Sequence, residues 1–211
     1  MTYQEQSYTH TAATIIKKLQ KRNMEGFYCS SKDEAVKKIL DLIPAASQVT
    51  WGGSETLIET GIMKALQTSD YQLIDRHSAA TPQEKREIYG KIVTADYFLT
   101  GTNAITLNGE LINVDGAGNR VACLITGPQH VIVVTGMNKV VTTIEEGMRR
   151  ARNIAAPPNS IRVGADTPCS KIGMCADCLT DDCICSHTVI TRRSLIPGRV
   201  KVILIGGNYG F

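Results

Sequence analysis

The sequence predicts an α/β fold in which a mostly parallel sheet is flanked by helices and carries a β-hairpin elaboration. Helical and strand-like patterns alternate along most of the 211 residues. The run from His130 to Thr135 is rich in β-branched residues, which is typical of a strand buried on both faces of a parallel sheet. Asn108-Gly109 lies between two further strand-like runs and is a strong hairpin turn signal.

Helices and short strands alternate in the first half of the chain. Apolar residues at helical spacing predict a helix over 10–23, and the cap sequence that begins at Ser31 predicts a second helix. Thr81 followed by Pro82 predicts another helix start, because proline suits the first helical position. The predicted order is helix 10–23, strand 27–29, a helix from 31, strand 48–51, helix 55–67, strand 71–75 and helix 82–93.

Strands dominate the second half. The predicted elements are strands 97–100, 104–107, 110–114 and 130–135, a helix over 143–155 and a last strand over 200–205. Pro157-Pro158 is expected to end the helix. Residues 159–191 show no regular pattern and are predicted to form a loop-like insertion. We therefore expect one α/β domain over residues 1–211 with a cysteine-rich insertion at about 159–191.

Composition excludes several classes of protein. The net charge is only +3, aromatic residues make up 5% of the chain, and no basic block is interleaved with aromatics, so we expect no nucleic-acid partner. No apolar run approaches the ~20 residues of a membrane span. The first 23 residues lack the apolar core of a secretory signal. These observations predict a cytoplasmic protein without a membrane partner.

Five of the seven cysteines lie between Cys169 and Cys185, in the spacing C-x5-C-x2-C-x4-C-x-C. The central C-x2-C allows two sulfurs to approach one ion, and four thiolates suit either a zinc site or an iron–sulfur cluster. Disulfides would need an oxidising compartment, for which the N-terminal sequence gives no support. Metal-free reduced thiols are the other alternative. The metal's identity stays open at this point.

Glycine-rich turns follow several predicted strands. Ligands of open α/β sheets bind at the carboxyl ends of strands, where such turns permit close backbone approach. Glycine also serves turns that bind nothing, since it tolerates positive φ. Together the turns predict a site for a small anionic or phosphorylated ligand. The candidate ligand-binding residues are Gly52, Gly53, Ser54, Thr56, Gly101, Thr102, Asn103, Asp115, Gly116, Asn119, Arg120, Gly136, Asn138 and Lys139.

Catalytic motifs are missing from the sequence. It contains no G-x-S-x-G, no H-E-x-x-H and no cysteine–histidine nucleophile pattern. The four histidines are scattered along the chain. No catalytic residue is assigned on this basis, and whether the chain is an enzyme stays open.

Several segments together resemble the lactate-utilisation (LUD) domain family over nearly the whole chain. They are Trp51–Leu57, Thr94–Thr106, Asn113–Arg120, Gly127–Lys139 and Gly207–Phe211. The resemblance implies a fold similar to the NagB/RpiA/CoA-transferase superfamily, whose members often pair, so a homodimer is an expectation. It also implies a component of lactate oxidation to pyruvate that acts with an iron–sulfur redox partner protein.

The cysteine run resembles a pattern found in a subset of that family, P-C-x5-C-x-D-C-x6-C. The resemblance implies four metal ligands, Cys169, Cys175, Cys178 and Cys185, and leaves Cys183 as a spare thiol. The favoured hypothesis is a LUD protein that binds a small anionic ligand in its glycine turns. A stand-alone transferase, isomerase or ligase of the superfamily and a non-enzymatic zinc or iron–sulfur protein are the alternatives.

Overall fold

Two β-sheets organise the protein in a computed structural model that describes residues 1–211. The helices are α1 (Tyr3–Gln20), α2 (Lys32–Leu42), α3 (Glu55–Glu59), α4 (Ile62–Gln67), α5 (Pro82–Val93), α6 (Asn119–Ile125), α7 (Ile144–Arg150), α8 (Ala156–Arg162) and α9 (Pro168–Ile172). The strands are β1 (Glu25–Cys29), β2 (Gln48–Trp51), β3 (Gln72–Ile74), β4 (Tyr97–Gly101), β5 (Ala104–Thr106), β6 (Leu111–Asp115), β7 (His130–Gly136), β8 (Val140–Val141), β9 (His187–Thr191) and β10 (Val200–Ile205). None of the helices combines the length and apolarity of a membrane span.

The larger sheet confirms the predicted α/β fold. Its six strands run parallel in the order β1-β10-β7-β4-β2-β3. Alternate residues of the central strands face opposite sides of this sheet. Val131 and Val133 pack with α1 in one apolar core, whereas Ile132 and Val134 pack with α2, α3 and α4 in a second core. The helices therefore cover both faces, and the carboxyl ends of the strands meet at one edge.

The predicted hairpin is confirmed and belongs to a second sheet of four strands, in the order β8-β5-β6-β9. β5 and β6 pair antiparallel, with Ala104 opposite Ile112. β8 adds to β5 in parallel, and β9 adds to β6 antiparallel. Sequence patterns did not reveal β8 and β9, because β8 has two residues and β9 is mostly exposed.

Several predicted boundaries were wrong. The helix expected over 143–155 divides into α7, a π-helical turn over Ala151–Ala155 and α8, which continues through Pro157 and Pro158. The prolines are tolerated because they stand in the first turn of α8, where their missing N–H groups cost little. α1 begins at Tyr3 because Thr2 and Glu5 form a capping box at its exposed start.

The insertion expected at 159–191 is irregular only in its middle. Its first residues complete α8, Pro168–Ile172 form α9, and His187–Thr191 form β9. The segment that contains four of the five clustered cysteines, residues 173–186, is the irregular part. This segment joins α9 to the second sheet.

Candidate functional site

A cavity of about 230 Å³ lies at the carboxyl ends of β2 and β4, next to the turn that follows β6. We call it the strand-end cavity. Parallel strands bring their carboxyl ends to the same edge, which explains why distant turns meet here. Ten of the predicted ligand-binding residues line it: Gly53, Ser54, Gly101, Thr102, Asn103, Asp115, Gly116, Asn119, Arg120 and Lys139.

Close approach of the β2 and β4 turns requires glycine at position 101. The hydroxyl of Ser54 lies 2.7 Å from the point where a Cβ would stand on Gly101. Ser54 caps α3 by position but makes no capping hydrogen bond with its side chain. The hydroxyl of Thr102 is engaged within the protein, because it donates to the carbonyls of Ala104 and Ile112. Ser54 therefore offers a free hydroxyl, and Thr102 fixes the β5–β6 hairpin.

Arg120 lies beneath the cavity with every N–H group bonded. Its Nε donates to Asp115 Oδ2 at 3.1 Å. Its Nη1 donates to Asn113 Oδ1 at 2.6 Å and to the carbonyl of Gly101 at 3.2 Å. Its Nη2 donates to Asn103 Oδ1 and to the carbonyl of Val114. Burial lowers the pKa of Arg120, and Asp115 opposes that effect. The guanidinium ties three turns together and has no donor left for a ligand.

Asp115 shapes the turn that leads into α6. One carboxylate oxygen accepts from the backbone N–H of Gly118 at 2.8 Å, and the other accepts from Arg120. Gly118 adopts φ of +81° and lies against the ring of His187, so a larger residue would be strained there. Both oxygens of Asp115 are therefore engaged within the protein.

Two arginines outside the predicted set converge on the backbone of Gly53. The Nη2 atoms of Arg76 and Arg162 lie 3.3 Å and 3.6 Å from the Cβ position of this glycine. Arg76 donates only its Nε to protein, at 3.2 Å from His77 Nε2. Arg162 donates Nε and Nη2 to Asn159 Oδ1. Sequence reasoning missed both, although Arg76 follows β3 just as the other turns follow their strands.

Lys139 forms part of the cavity wall and is only 4% exposed. Its Nζ donates to Thr56 Oγ1 at 2.9 Å. Burial, reinforced by the charge of Arg150, lowers the pKa of Lys139 to about 7. Arg150 itself is held by the carbonyls of Asn103 and Asn138.

The remaining four predicted ligand-binding residues lie outside the cavity wall. Gly52 is covered by the side chain of Arg120, about 3 Å from its Cβ position. The other three pack beneath the C-terminal segment, which we define as residues 207–211. In this group, Thr56 donates to the carbonyl of Tyr209 at 3.2 Å, Asn138 donates to the carbonyl of Gly210 at 3.2 Å, and Gly136 leaves room for the backbone of this segment.

All five clustered cysteines line a second cavity of about 400 Å³, which we call the thiol cavity. Cys169 is buried on α9, and its sulfur lies 3.2 Å from the hydroxyls of Ser160 and Thr167. Burial and the neighbouring thiols raise the pKa of Cys185 to about 11. No three His, Cys, Asp or Glu side chains are arranged as ligands of one ion.

The two cavities share a wall, because consecutive residues of the chain line them. Ala155 lines the strand-end cavity and Ala156 lines the thiol cavity. Ile184 likewise lines the strand-end cavity, and Cys185 lines the thiol cavity. The backbone of Ile184 lies 3.4 Å from the Cβ position of Gly116. Neighbouring Cα atoms are about 3.8 Å apart. The cysteine segment is therefore adjacent to the predicted ligand turns.

Comparisons with known proteins agree with this architecture. A search of curated proteins gave no significant sequence match. A DUF162 family protein from Deinococcus radiodurans is similar in structure, with 14% identity, a TM-score of 0.57, and coverage of 95% of this chain and 98% of that one. At this identity, the similarity establishes the fold alone.

Shorter regions are similar to two other solved structures. Ribose 5-phosphate isomerase A from Neisseria gonorrhoeae matches at 11% identity with a TM-score of 0.36, over 55% of this chain and 56% of that one. eIF2B delta from Chaetomium thermophilum matches at 15% identity with a TM-score of 0.38, over 56% of this chain and 50% of that one. The profile described as the LUD domain matches residues 12–205, and the protein therefore belongs to the lactate-utilisation (LUD) domain family.

Proposed function

We propose that this protein binds a small carboxylate- or phosphate-bearing ligand in the strand-end cavity. In this proposal it acts as a component of lactate utilisation beside an iron–sulfur redox partner. The observation that carries the proposal is the convergence of Arg76 and Arg162 on the backbone of Gly53. A planar guanidinium presents a fork of N–H donors that matches the oxygens of a carboxylate or a phosphate.

The charge balance of the cavity supports an anionic ligand. Four basic and two acidic side chains line it. Asp115 is neutralised by Arg120, and Glu55 lies 4.0 Å from Arg162. Arg76 has no carboxylate within ion-pair distance. A volume of about 230 Å³ suits a ligand smaller than the drug-sized molecules that occupy pockets of about 300–1,000 Å³.

Isothermal titration calorimetry tests this proposal. Pyruvate, L-lactate and inorganic phosphate are titrated into the full chain, and at least one should bind at up to millimolar concentration. Arg76→Gln and Arg162→Gln should each weaken that binding by about 10- to 150-fold, since a hydrogen bond to a charged group contributes about 1.5–3 kcal/mol. Arg86→Gln is the matched control, because Arg86 is exposed on α5 and outside the cavity.

Two outcomes would contradict the proposal. The first is that none of the three anions binds. The second is that an anion binds with the same affinity to the wild type and to both cavity variants, which would place the anion elsewhere. A loss of affinity in Arg86→Gln equal to that in the cavity variants would indicate a general charge effect.

We further propose that Cys169, Cys175, Cys178 and Cys185 hold an iron–sulfur cluster, with zinc as the alternative. All four of these cysteines line one cavity of about 400 Å³. In a cluster, each thiolate binds its own iron, so the sulfurs surround a volume, and the thiol cavity is consistent with that arrangement. A bound cluster would supply one-electron transfer.

The protein would hold the thiols in position and keep the bound cluster close to the anion in the strand-end cavity. Ser160 and Thr167 hold the sulfur of Cys169 by hydrogen bonds. Arg152 of the π-helical turn forms an ion pair at 3.0 Å with Asp177, which lies between Cys175 and Cys178. The shared wall would then place the thiols directly beside an anion in the strand-end cavity.

A further inference from the structure

Lys139 differs from the other cations of the strand-end cavity. Arg120 has every N–H bonded, and Arg76 and Arg162 lie nearer the surface. The amine of Lys139 is buried and makes one side-chain hydrogen bond, to Thr56 Oγ1. Because Thr56 Oγ1 donates its own proton to the carbonyl of Tyr209, it accepts from the amine. Lys139 lines the cavity, and its nitrogen forms no second side-chain hydrogen bond within the protein.

The charges around Lys139 favour the neutral amine. Arg150 and Arg120 face it as cations, and Glu59 is the acidic group that opposes them. Glu59 does not form an ion pair with Lys139, and its carboxylate instead accepts from the backbone N–H of Gly210 at 2.6 Å. Together with burial, this arrangement lowers the pKa of Lys139 to about 7. Desolvation and a neighbouring cation are the two means by which proteins make lysine nucleophilic at neutral pH.

We propose that Lys139 is a covalent nucleophile that forms an imine with the carbonyl carbon of a small 2-oxo acid in the strand-end cavity. The inference rests on the anion binding proposed above, because Arg76 and Arg162 would hold the carboxylate of that acid. A 2-oxo acid joins an anionic group to an electrophilic carbon. It therefore uses both chemical features of the cavity, the exposed guanidinium groups and the buried amine.

The reaction is a condensation with no change in oxidation state. The lone pair of Nζ forms the C–N bond while the carbonyl π bond breaks, and one of the two amine protons passes to the former carbonyl oxygen to give a carbinolamine. The second amine proton then passes to that hydroxyl, which leaves as water while the nitrogen lone pair forms the C=N bond. One amine and one carbonyl give one imine and one water. A 2-hydroxy acid such as L-lactate lacks the carbonyl and cannot react.

Reductive trapping tests this inference. The full chain is incubated at pH 7 with pyruvate and sodium cyanoborohydride, which converts an imine into a stable secondary amine. Intact-mass and peptide analysis should locate one adduct at Lys139. With a pKa of about 7, Lys139 is roughly 10³-fold richer in free amine than a surface lysine at this pH. Labelling should therefore exceed that of exposed Lys64 by more than about tenfold, and L-lactate should label neither residue.

The matched variants are Lys139→Arg, which keeps a cation beside Thr56 but cannot form an imine, and Lys64→Arg. The first should abolish the adduct and the second should leave it unchanged. Pyruvate that binds by calorimetry but leaves no adduct on Lys139, or adducts spread evenly over exposed lysines, would overturn the imine while the anion site stands. Failure of every anion to bind would overturn both proposals. Peptide mapping of the wild type shows whether the adduct is on Lys139 even if Lys139→Arg does not fold.

Discussion

Arg120 is the residue on which the shape of the strand-end cavity depends most. Its five donors join the β4 turn, the β5–β6 hairpin and the turn before α6. A buried charge is tolerated when it is paired and fully hydrogen-bonded, and Asp115 supplies the opposite charge. Removal of one partner leaves the other buried without compensation. Arg120 therefore stabilises the turns around the cavity, and its contact with a ligand stays a prediction.

Arg120→Met should lower the free energy of unfolding by about 3–5 kcal/mol, the usual cost of breaking a buried ion pair from one side. Urea denaturation followed by circular dichroism measures this change. Arg86→Met is the control and should change the free energy of unfolding by less than about 0.5 kcal/mol, because Arg86 is exposed. A loss below about 1 kcal/mol in Arg120→Met would show that the guanidinium network contributes little.

At the scale of elements, the strand-to-helix turns were predictable and the connections between them were not. Ser54 and Asn103 could be found because they follow strands whose apolar patterns are local. Arg162 could not, since it reaches the cavity on α8, which continues through two prolines after a π-helical turn. That continuation depends on packing between distant segments, which a local pattern does not contain.

The metal content of the purified protein tests the role proposed for the cysteine segment. Protein purified without oxygen should contain about four irons and a similar amount of sulfide. Cys178→Ser should lose most of the iron, whereas Cys183→Ser should retain it, because Cys183 is the spare thiol of the proposed set. Iron, sulfide and zinc analysis with the visible absorption spectrum provides the measurement. Metal-free wild-type protein would contradict ligation, and one zinc without sulfide would support the structural zinc alternative.

At the scale of the whole molecule, two sheets combine to build the strand-end cavity. The six-stranded sheet supplies the turns after β2, β3 and β4, and the four-stranded sheet supplies the turn after β6. The larger sheet could be predicted from alternation of helices and strands. The second sheet could not be predicted in the same way. β8 and β9 belong to it because they pair with β5 and β6, and a local sequence pattern does not reveal such pairing.

A crystal structure of the protein with pyruvate at saturating concentration tests most directly whether the strand-end cavity is the ligand site. We expect the carboxylate between Arg76 and Arg162 beside Gly53, with the carbonyl carbon toward Lys139. A second basic cluster lies outside this cavity and serves as an internal comparison for anion binding. It is formed by Lys18, Lys21, Arg22, Arg192 and Arg193. Pyruvate bound at that cluster, with the strand-end cavity holding only water, would show that the ligand site lies elsewhere.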